Sequence, residues 1–248
     1  MRVGIDLGSR TIKMVVMGNG HLVDQQVVES GFDPCAQALA MLASFKPKLV
    51  VATGYGRHLA QKHFAQEVIT EIKAHAIGSR FLFPECGTVI DIGGQDSKVI
   101  ALDKNGRVER FQMNDKCAAG TGRFLEIMAA SLGFRLDEFG PAGLESHQEI
   151  AINSMCTVFA ESEVISMKNH GVLPQDIARA VHLSVLNRIV AMVERLGHGE
   201  VIVFSGGVAR NSCMTALLQE RLAPSRLMIP EHPDLVGALG AALYATRD

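Results

Sequence analysis

Two aspartates, Asp6 and Asp91, each close an apolar strand and run into a glycine turn, and a lysine follows on the outgoing strand. The first copy reads Gly4-Ile5-Asp6-Leu7-Gly8-Ser9-Arg10-Thr11-Ile12-Lys13. The second, Val89-Ile90-Asp91-Ile92-Gly93-Gly94-Gln95-Asp96-Ser97-Lys98, lies 85 positions later, from 6 to 91. A glycine turn lets backbone N–H groups approach an anion with no side chain in the way, and a carboxylate beside it can hold the hard cation that travels with phosphates. Two such hairpins facing each other would grip a nucleoside triphosphate and its magnesium from both sides. One Asp-x-Gly turn says little, because aspartate also caps turns; the duplication is what points to phosphate. Lys13 and Lys98 could each neutralise a phosphate as point charges, although a solvent-exposed lysine is the plainer expectation for both.

A third glycine turn, Ser205-Gly206-Gly207-Val208-Ala209-Arg210-Asn211, follows the apolar run Val201 to Phe204. It is either the seat where a helix start packs under an adenosine or only a tight strand-to-helix turn. Of the five cysteines, Cys117 and Cys156 fall at or near expected helix starts, where backbone N–H groups and the helix dipole favour a thiolate. That placement suits an anionic iron–sulfur cluster, yet an isolated cysteine is often a small inert hydrophobe, and neither belongs to a Cys-x-x-Cys pair. A four-iron cluster usually takes four thiolates, so two per chain would suffice on the axis of a two-fold homodimer. Cys35 and Cys213 lie in apolar helical patterns and read as packing, Cys86 sits beside a Pro84/Gly87 turn, and the histidines show no ligand spacing.

The elements that must position these residues form two related lobes with a cleft between them in an α/β chain. Residues 1–86 are expected to form the first lobe, to which the C-terminal helix 236–248 returns, and residues 87–235 the second. Helices are expected over 34–45, 57–65, 73–83, from Cys117 to about Leu132, from about Cys156 to Ser166, over 174–196 and over 236–244. Strands are expected over 48–53, 68–72, near 149–153 and over 201–204. In the long helix, Ile177, Val181, Val185, Ile189 and Val193 recur on one face, which must be core. A chain of 248 residues with net charge −2 can bury a large core and is no general polyanion binder, so nucleic acid is not an expected partner. No apolar run is long enough to span a bilayer and no basic, then apolar, leader opens the chain; the expectation is a cytoplasmic protein without a membrane partner.

Asn114-Asp115-Lys116-Cys117-Ala118-Ala119-Gly120-Thr121-Gly122-Arg123-Phe124 and Cys156-Thr157-Val158-Phe159-Ala160-Glu161-Ser162-Glu163-Val164 resemble the activator (component A) ATPases of 2-hydroxyacyl-CoA dehydratases, of the BadF/BadG/BcrA/BcrD ATPase family. Val51-Ala52-Thr53-Gly54-Tyr55-Gly56-Arg57 and Gly237-Ala238-Leu239-Gly240-Ala241-Ala242-Leu243-Tyr244 match the same pattern, so the likeness spans the chain. It departs at Arg10-Thr11-Ile12, where relatives tend to carry smaller residues. The resemblance implies an actin/sugar-kinase/Hsp70-like fold and a homodimer with one [4Fe-4S] cluster held by Cys117 and Cys156 of both subunits. It further implies ATP with Mg2+ in the cleft, a ferredoxin or flavodoxin electron donor, and an iron–sulfur dehydratase-like acceptor.

On that reading the nucleotide contacts are Gly8, Ser9, Arg10, Thr11 and Lys13 from the first turn and Gly93, Gly94 and Gln95 from the second, with Gly120, Gly122, Gly206, Gly207 and Asn211. Asp6 and Asp91 stand near magnesium, and Gln95 or Asp96 positions the attacking water. The rival readings are a sugar or amino-sugar kinase of the same fold and a non-catalytic redox regulator.

Overall fold

Asp6 and Asp91 lie on the central strands of two five-stranded sheets built to one plan. The computed structural model describes residues 1–148, 150–153 and 156–245. The first sheet contains β1 (Arg2–Leu7), β2 (Thr11–Gly18), β3 (His21–Glu29), β4 (Leu49–Thr53) and β5 (Glu67–Val68), with α1 (Pro34–Leu42) and α2 (Arg57–His63) between strands. After α3 (Glu71–Leu82) come β6 (Thr88–Ile92), β7 (Ser97–Leu102) and β8 (Val108–Asn114), then four helices: α4 (Gly122–Leu132), α5 (Leu136–Glu145), α6 (Thr157–Asn169) and α7 (Pro174–Leu196). The chain finishes with β9 (Val201–Ser205), α8 (Ser212–Arg221), β10 (Arg226–Met228) and α9 (Val236–Tyr244).

The sheets run β3-β2-β1-β4-β5 and, read from the equivalent edge, β8-β7-β6-β9-β10. In each, three strands form an antiparallel meander and two more join in parallel. β1 and β6 are flanked on both sides, which is why they are apolar on both faces up to the aspartate. The meander turns follow from their residues. Asn19 and Gly20 both adopt positive φ, 51° and 82°, as a two-residue hairpin requires. In the second meander the Asp103 carboxylate accepts from the N–H groups of Asn105 and Arg107, at 2.9 and 2.8 Å.

One core joins the second sheet to α4, α5, α7 and α8, and includes the predicted stripe Ile177, Val181, Val185, Ile189 and Val193. A smaller core fills the first sheet against α1 and α2. α9 packs on the first sheet through Ala238 and Ala242 against Val15 and Met17. It also crosses α3 at backbone contact: a Cβ on Gly240 would run into the Ala74 carbonyl, and one on Gly78 into that of Val236. Small residues at this crossing bring α3 close enough to carry side chains to the site.

Several expectations change. Ile150–Asn153 is not a strand, and Glu149 lies outside the described residues, as do residues 246–248 of the expected C-terminal helix. The strand expected over 68–72 shrinks to β5, because the Thr70 hydroxyl accepts from Lys73 N at 3.2 Å and starts α3. α4 begins at Gly122, five residues after Cys117, which sits in the loop leading to it. β3, β8, β10 and α5 have no counterpart in the sequence reading.

Candidate functional site

In the first turn Gly8 N donates to Thr11 O at 3.2 Å, and the Ser30 hydroxyl holds the Gly8 carbonyl at 2.9 Å. Ser9 and Arg10 are exposed at its tip. Asp6 and Lys13 are opposite each other across β1 and β2, and Lys13 Nζ donates to Asp6 Oδ2 at 3.2 Å. Burial opposes the Lys13 charge, but Asp6 outweighs it and raises the ammonium above its ordinary value.

The second turn repeats this register: Gly93 N donates to Asp96 O at 2.9 Å, and Asp91 faces Lys98. Its surroundings differ. Lys98 is 2% exposed, which overturns the expectation of a solvated lysine. Its three N–H donors meet three carboxylates: Asp96 at 2.7 Å, Glu71 at 2.8 Å and Asp91 at 3.2 Å. Burial works against the charge, yet those carboxylates hold it well above the usual lysine value. Burial would likewise raise Asp91; His75, Lys98 and the Ser205 hydroxyl, which donates at 3.0 Å, hold it well below the usual carboxylate range.

His75 was missed as a lone helical histidine. α3 places its Nδ1 3.4 Å from both Asp91 Oδ1 and Ser205 Oγ, while Nε2 faces Gly237, whose other neighbour is Asp6. It therefore stands between the two aspartates. The sequence reading named both Thr53-Gly54 after β4 and Ser205-Gly206 after β9 but not their equivalence. Thr53 pairs with Asp6 and Ser205 with Asp91, and Gly54 and Gly206 have φ of 89° and 87°. A Cβ on either would strike the neighbouring aspartate. Here the lobes differ again: Thr53 Oγ1 is buried and has no hydrogen-bond partner among the described residues.

The turns meet across the cleft, where Arg10 lies over Gly94 and pairs with Glu126 of α4. Gln95 is exposed, whereas Asp96 is committed to Lys98. Gly207 is exposed with no neighbour within 4 Å of an added Cβ, leaving its backbone open. Asn211 does not present a free side chain: its Oδ1 caps α8 at Met214 N, 2.9 Å, and its Nδ2 donates to His182 Nε2 at 3.0 Å.

Gly120 lies in the loop that bears Cys117, and Gly122 opens α4 directly after it. Asn114 Nδ2 donates to the carbonyls of Cys117 and Ala119, both at 2.9 Å, and Gly120 has φ of 89°. Gly122 N and Arg123 N then donate to Gly93 O and Gly94 O at 2.9 and 2.8 Å. The Cys117 arm and the second phosphate turn are thus one hydrogen-bonded unit. Cys156 occupies the N-cap position of α6 without a side-chain capping bond, and α6 is tied to α4 by the Ser131 hydroxyl, which donates to Glu161 at 2.9 Å. Cys117 and Cys156 are exposed; Cys86 and Cys213 are buried, and burial pushes their thiols up to about 11. Among the described residues no three His, Cys, Asp or Glu side chains converge on a metal-sized site.

Two sheets of one plan, with paired Asp-Gly turns across a cleft, define an actin-like ATPase fold of two lobes. The chain belongs to the BadF/BadG/BcrA/BcrD ATPase family, whose model matches residues 3–245. It is 42% identical to the 2-hydroxyisocaproyl-CoA dehydratase activator of Clostridioides difficile, over 98% of this chain and 94% of that protein. The crystal structure of component A of (R)-2-hydroxyglutaryl-CoA dehydratase from Acidaminococcus fermentans superposes with a TM-score of 0.91 at 40% identity, covering 98% of this chain and 96% of that one. The Clostridium difficile activator of 2-hydroxyisocaproyl-CoA dehydratase with bound ADPNP gives 0.90 at 42% identity, covering 98% and 93%. A ROK family glucokinase from Streptomyces griseus matches at 0.61 and 15% identity, covering 100% and 99%, a likeness of fold alone. Among the described residues no helix is long and apolar enough to cross a membrane.

Proposed function

We propose that this chain is an ATP-hydrolysing iron–sulfur protein that passes single electrons to a 2-hydroxyacyl-CoA dehydratase-like partner and so activates it. The observation that carries this reading is the hydrogen-bonded continuity between the second phosphate turn and the Cys117 arm. A change at Gly93 and Gly94 on nucleotide turnover has a direct path to the cysteine.

The residues suit the groups involved. Asp6 offers carboxylate oxygens of the kind magnesium takes, and Asp91, whose oxygens already meet Lys98, Ser205 and His75, would reach the ion through water; the unpartnered Thr53 hydroxyl beside Asp6 is a further polar group awaiting a partner. The Gly8 and Gly93 N–H groups close the two turns, and the residues after them, Ser9 to Thr11 and Gly94 to Gln95, present their backbone to the phosphates; Lys13 adds charge beneath the first turn, Gly206 sets the tight turn behind Asp91, and Gly207, with open space where a Cβ would be, leaves room for the nucleoside. Gln95, exposed in the turn, orients the attacking water, because Asp96 is held by Lys98. Cys117 and Cys156 from two copies of the chain hold a [4Fe-4S] cluster, which when bound supplies a one-electron couple. A ferredoxin or flavodoxin is the electron donor. We read the lobes as residues 1–86, with the C-terminal helix returned to them, and residues 87–235.

The test is anaerobic purification followed by iron analysis. Brown protein with about four irons per dimer is expected, lost on Cys117→Ser or Cys156→Ser and kept on Cys35→Ser or Cys213→Ser. ATP should then drive reduction of an iron–sulfur dehydratase. Full iron in Cys117→Ser, or transfer of the γ-phosphate to a sugar, overturns the reading.

A further inference from the structure

We propose that Arg10 reads the terminal phosphate: it distinguishes a nucleoside triphosphate from a diphosphate by exchanging its ion-pair partner Glu126 for the γ-phosphate. The inference rests on the ATPase reading above and deepens it.

Arg10 stands at the exposed tip of the first turn and is the only side chain of that turn that reaches the opposite lobe in the described contacts. Its aliphatic stem lies over the second turn, where a Cβ on Gly94 would sit 3.0, 3.5 and 3.8 Å from Arg10 Cδ, Cγ and Cβ. The side chain therefore spans the two loops between which a polyphosphate must lie. Its guanidinium ends on Glu126, a carboxylate that also accepts from Arg123 Nη1 at 2.9 Å.

That sharing makes the exchange easy. Glu126 keeps Arg123 when Arg10 leaves, so no carboxylate is stranded. The Arg10 and Glu126 side chains are 48% and 29% exposed, and pairs so accessible to water hold weakly. A phosphate offers the same fork-shaped guanidinium a more highly charged, bidentate acceptor. A diphosphate, one phosphate shorter, leaves Arg10 on Glu126.

The exchange also reaches the cysteine arm. Glu126 is in the second turn of α4, whose first two N–H groups are bonded to Gly93 and Gly94 and whose preceding loop carries Cys117. Removing one of two cations from Glu126 alters the only interlobe ion pair on that helix among the described residues.

The experiment is nucleotide titration of the purified full chain with Mg2+, comparing ADPNP with ADP by calorimetry. Arg10→Ala should lose about tenfold in ADPNP affinity, the scale of one charge-assisted contact, and leave ADP within about twofold. Glu126→Gln should shift the opposite way, binding ADPNP about threefold more tightly by removing the competitor, again with ADP unchanged. In the double variant the gain from Glu126→Gln should vanish, since the arginine it competes for is gone. Arg10→Lys should recover only part of the preference, lacking the fork. Parallel changes for ADPNP and ADP, or weaker ADPNP binding by Glu126→Gln, overturn the latch while leaving the ATPase reading standing. Failure of the unsubstituted protein to bind either nucleotide overturns both.

Discussion

Asp6 and Asp91 occupy one position in two sheets of one plan, yet their surroundings are unequal. Asp6 has a single partly exposed lysine and an unpartnered hydroxyl beside it. Asp91 is locked by Lys98, Ser205 and His75, and Lys98 in turn by Glu71 and Asp96. Duplication thus supplied two like frames, and divergence surrounded Asp91 with partners while leaving the Thr53 hydroxyl beside Asp6 without one among the described residues. The turn after Asp91 is also the one bonded to the loop that carries Cys117.

The sharpest way to break this comparison is to delete each lysine. Lys98→Met leaves three carboxylates facing one another, two of them partly shielded, and should cost about 3–5 kcal/mol of unfolding free energy. Lys13→Met, at a more accessible pair, should cost about 1 kcal/mol or less. Urea unfolding of the two variants measures this, and equal losses would mean that the two aspartate sites depend equally on their lysines.

Acid should separate the lobes next. His182, in the core of the second sheet, is pushed down to about 4 by burial, against an ordinary value of 6.5. The folded form therefore binds fewer protons than the unfolded one between those values, so stability is complete above pH 6.5 and falls as pH drops toward 4. The loss should approach about 3 kcal/mol, at no more than about 1.4 kcal/mol per pH unit. His182→Gln should flatten the slope of urea midpoint against pH over that window; an unchanged slope would place the acid sensitivity elsewhere.

The smallest effect tests where the lobes are alike. Gly54→Ala and Gly206→Ala each force a Cβ onto a φ near +90° and against an aspartate. Each should cost about 1–3 kcal/mol and weaken nucleotide binding, by similar amounts. A loss confined to one of them would show that the equivalence of the two turns is geometric but not functional.

Much of this was legible along the chain. The repeated Asp-Gly-Lys register, the apolar stripe of α7 with its proline start, and the small-residue helix α9 each follow from local pattern. The edge strands β3 and β8 did not, because they are largely solvent-facing and carry little apolar alternation. α5 was hidden by Gly140, Pro141 and Gly143, residues that suit a loop; packing of Phe139 and Ala142 in the core overrides that preference. The burial of Lys98 was equally hidden, since Glu71, one of its three carboxylates, comes from the start of α3, well before the second hairpin in the chain.

Sequence alone therefore determined the duplication, the glycine turns and the family, because each is written in short local motifs. Only the tertiary structure decided that Lys98 is a buried carboxylate holder, that His75 stands between the aspartates, and that Thr53-Gly54 is the counterpart of Ser205-Gly206. It also decided that Arg10 crosses to Glu126. These depend on charges and backbones brought together from distant segments, and their energies arise from burial and short range, which no local spacing encodes.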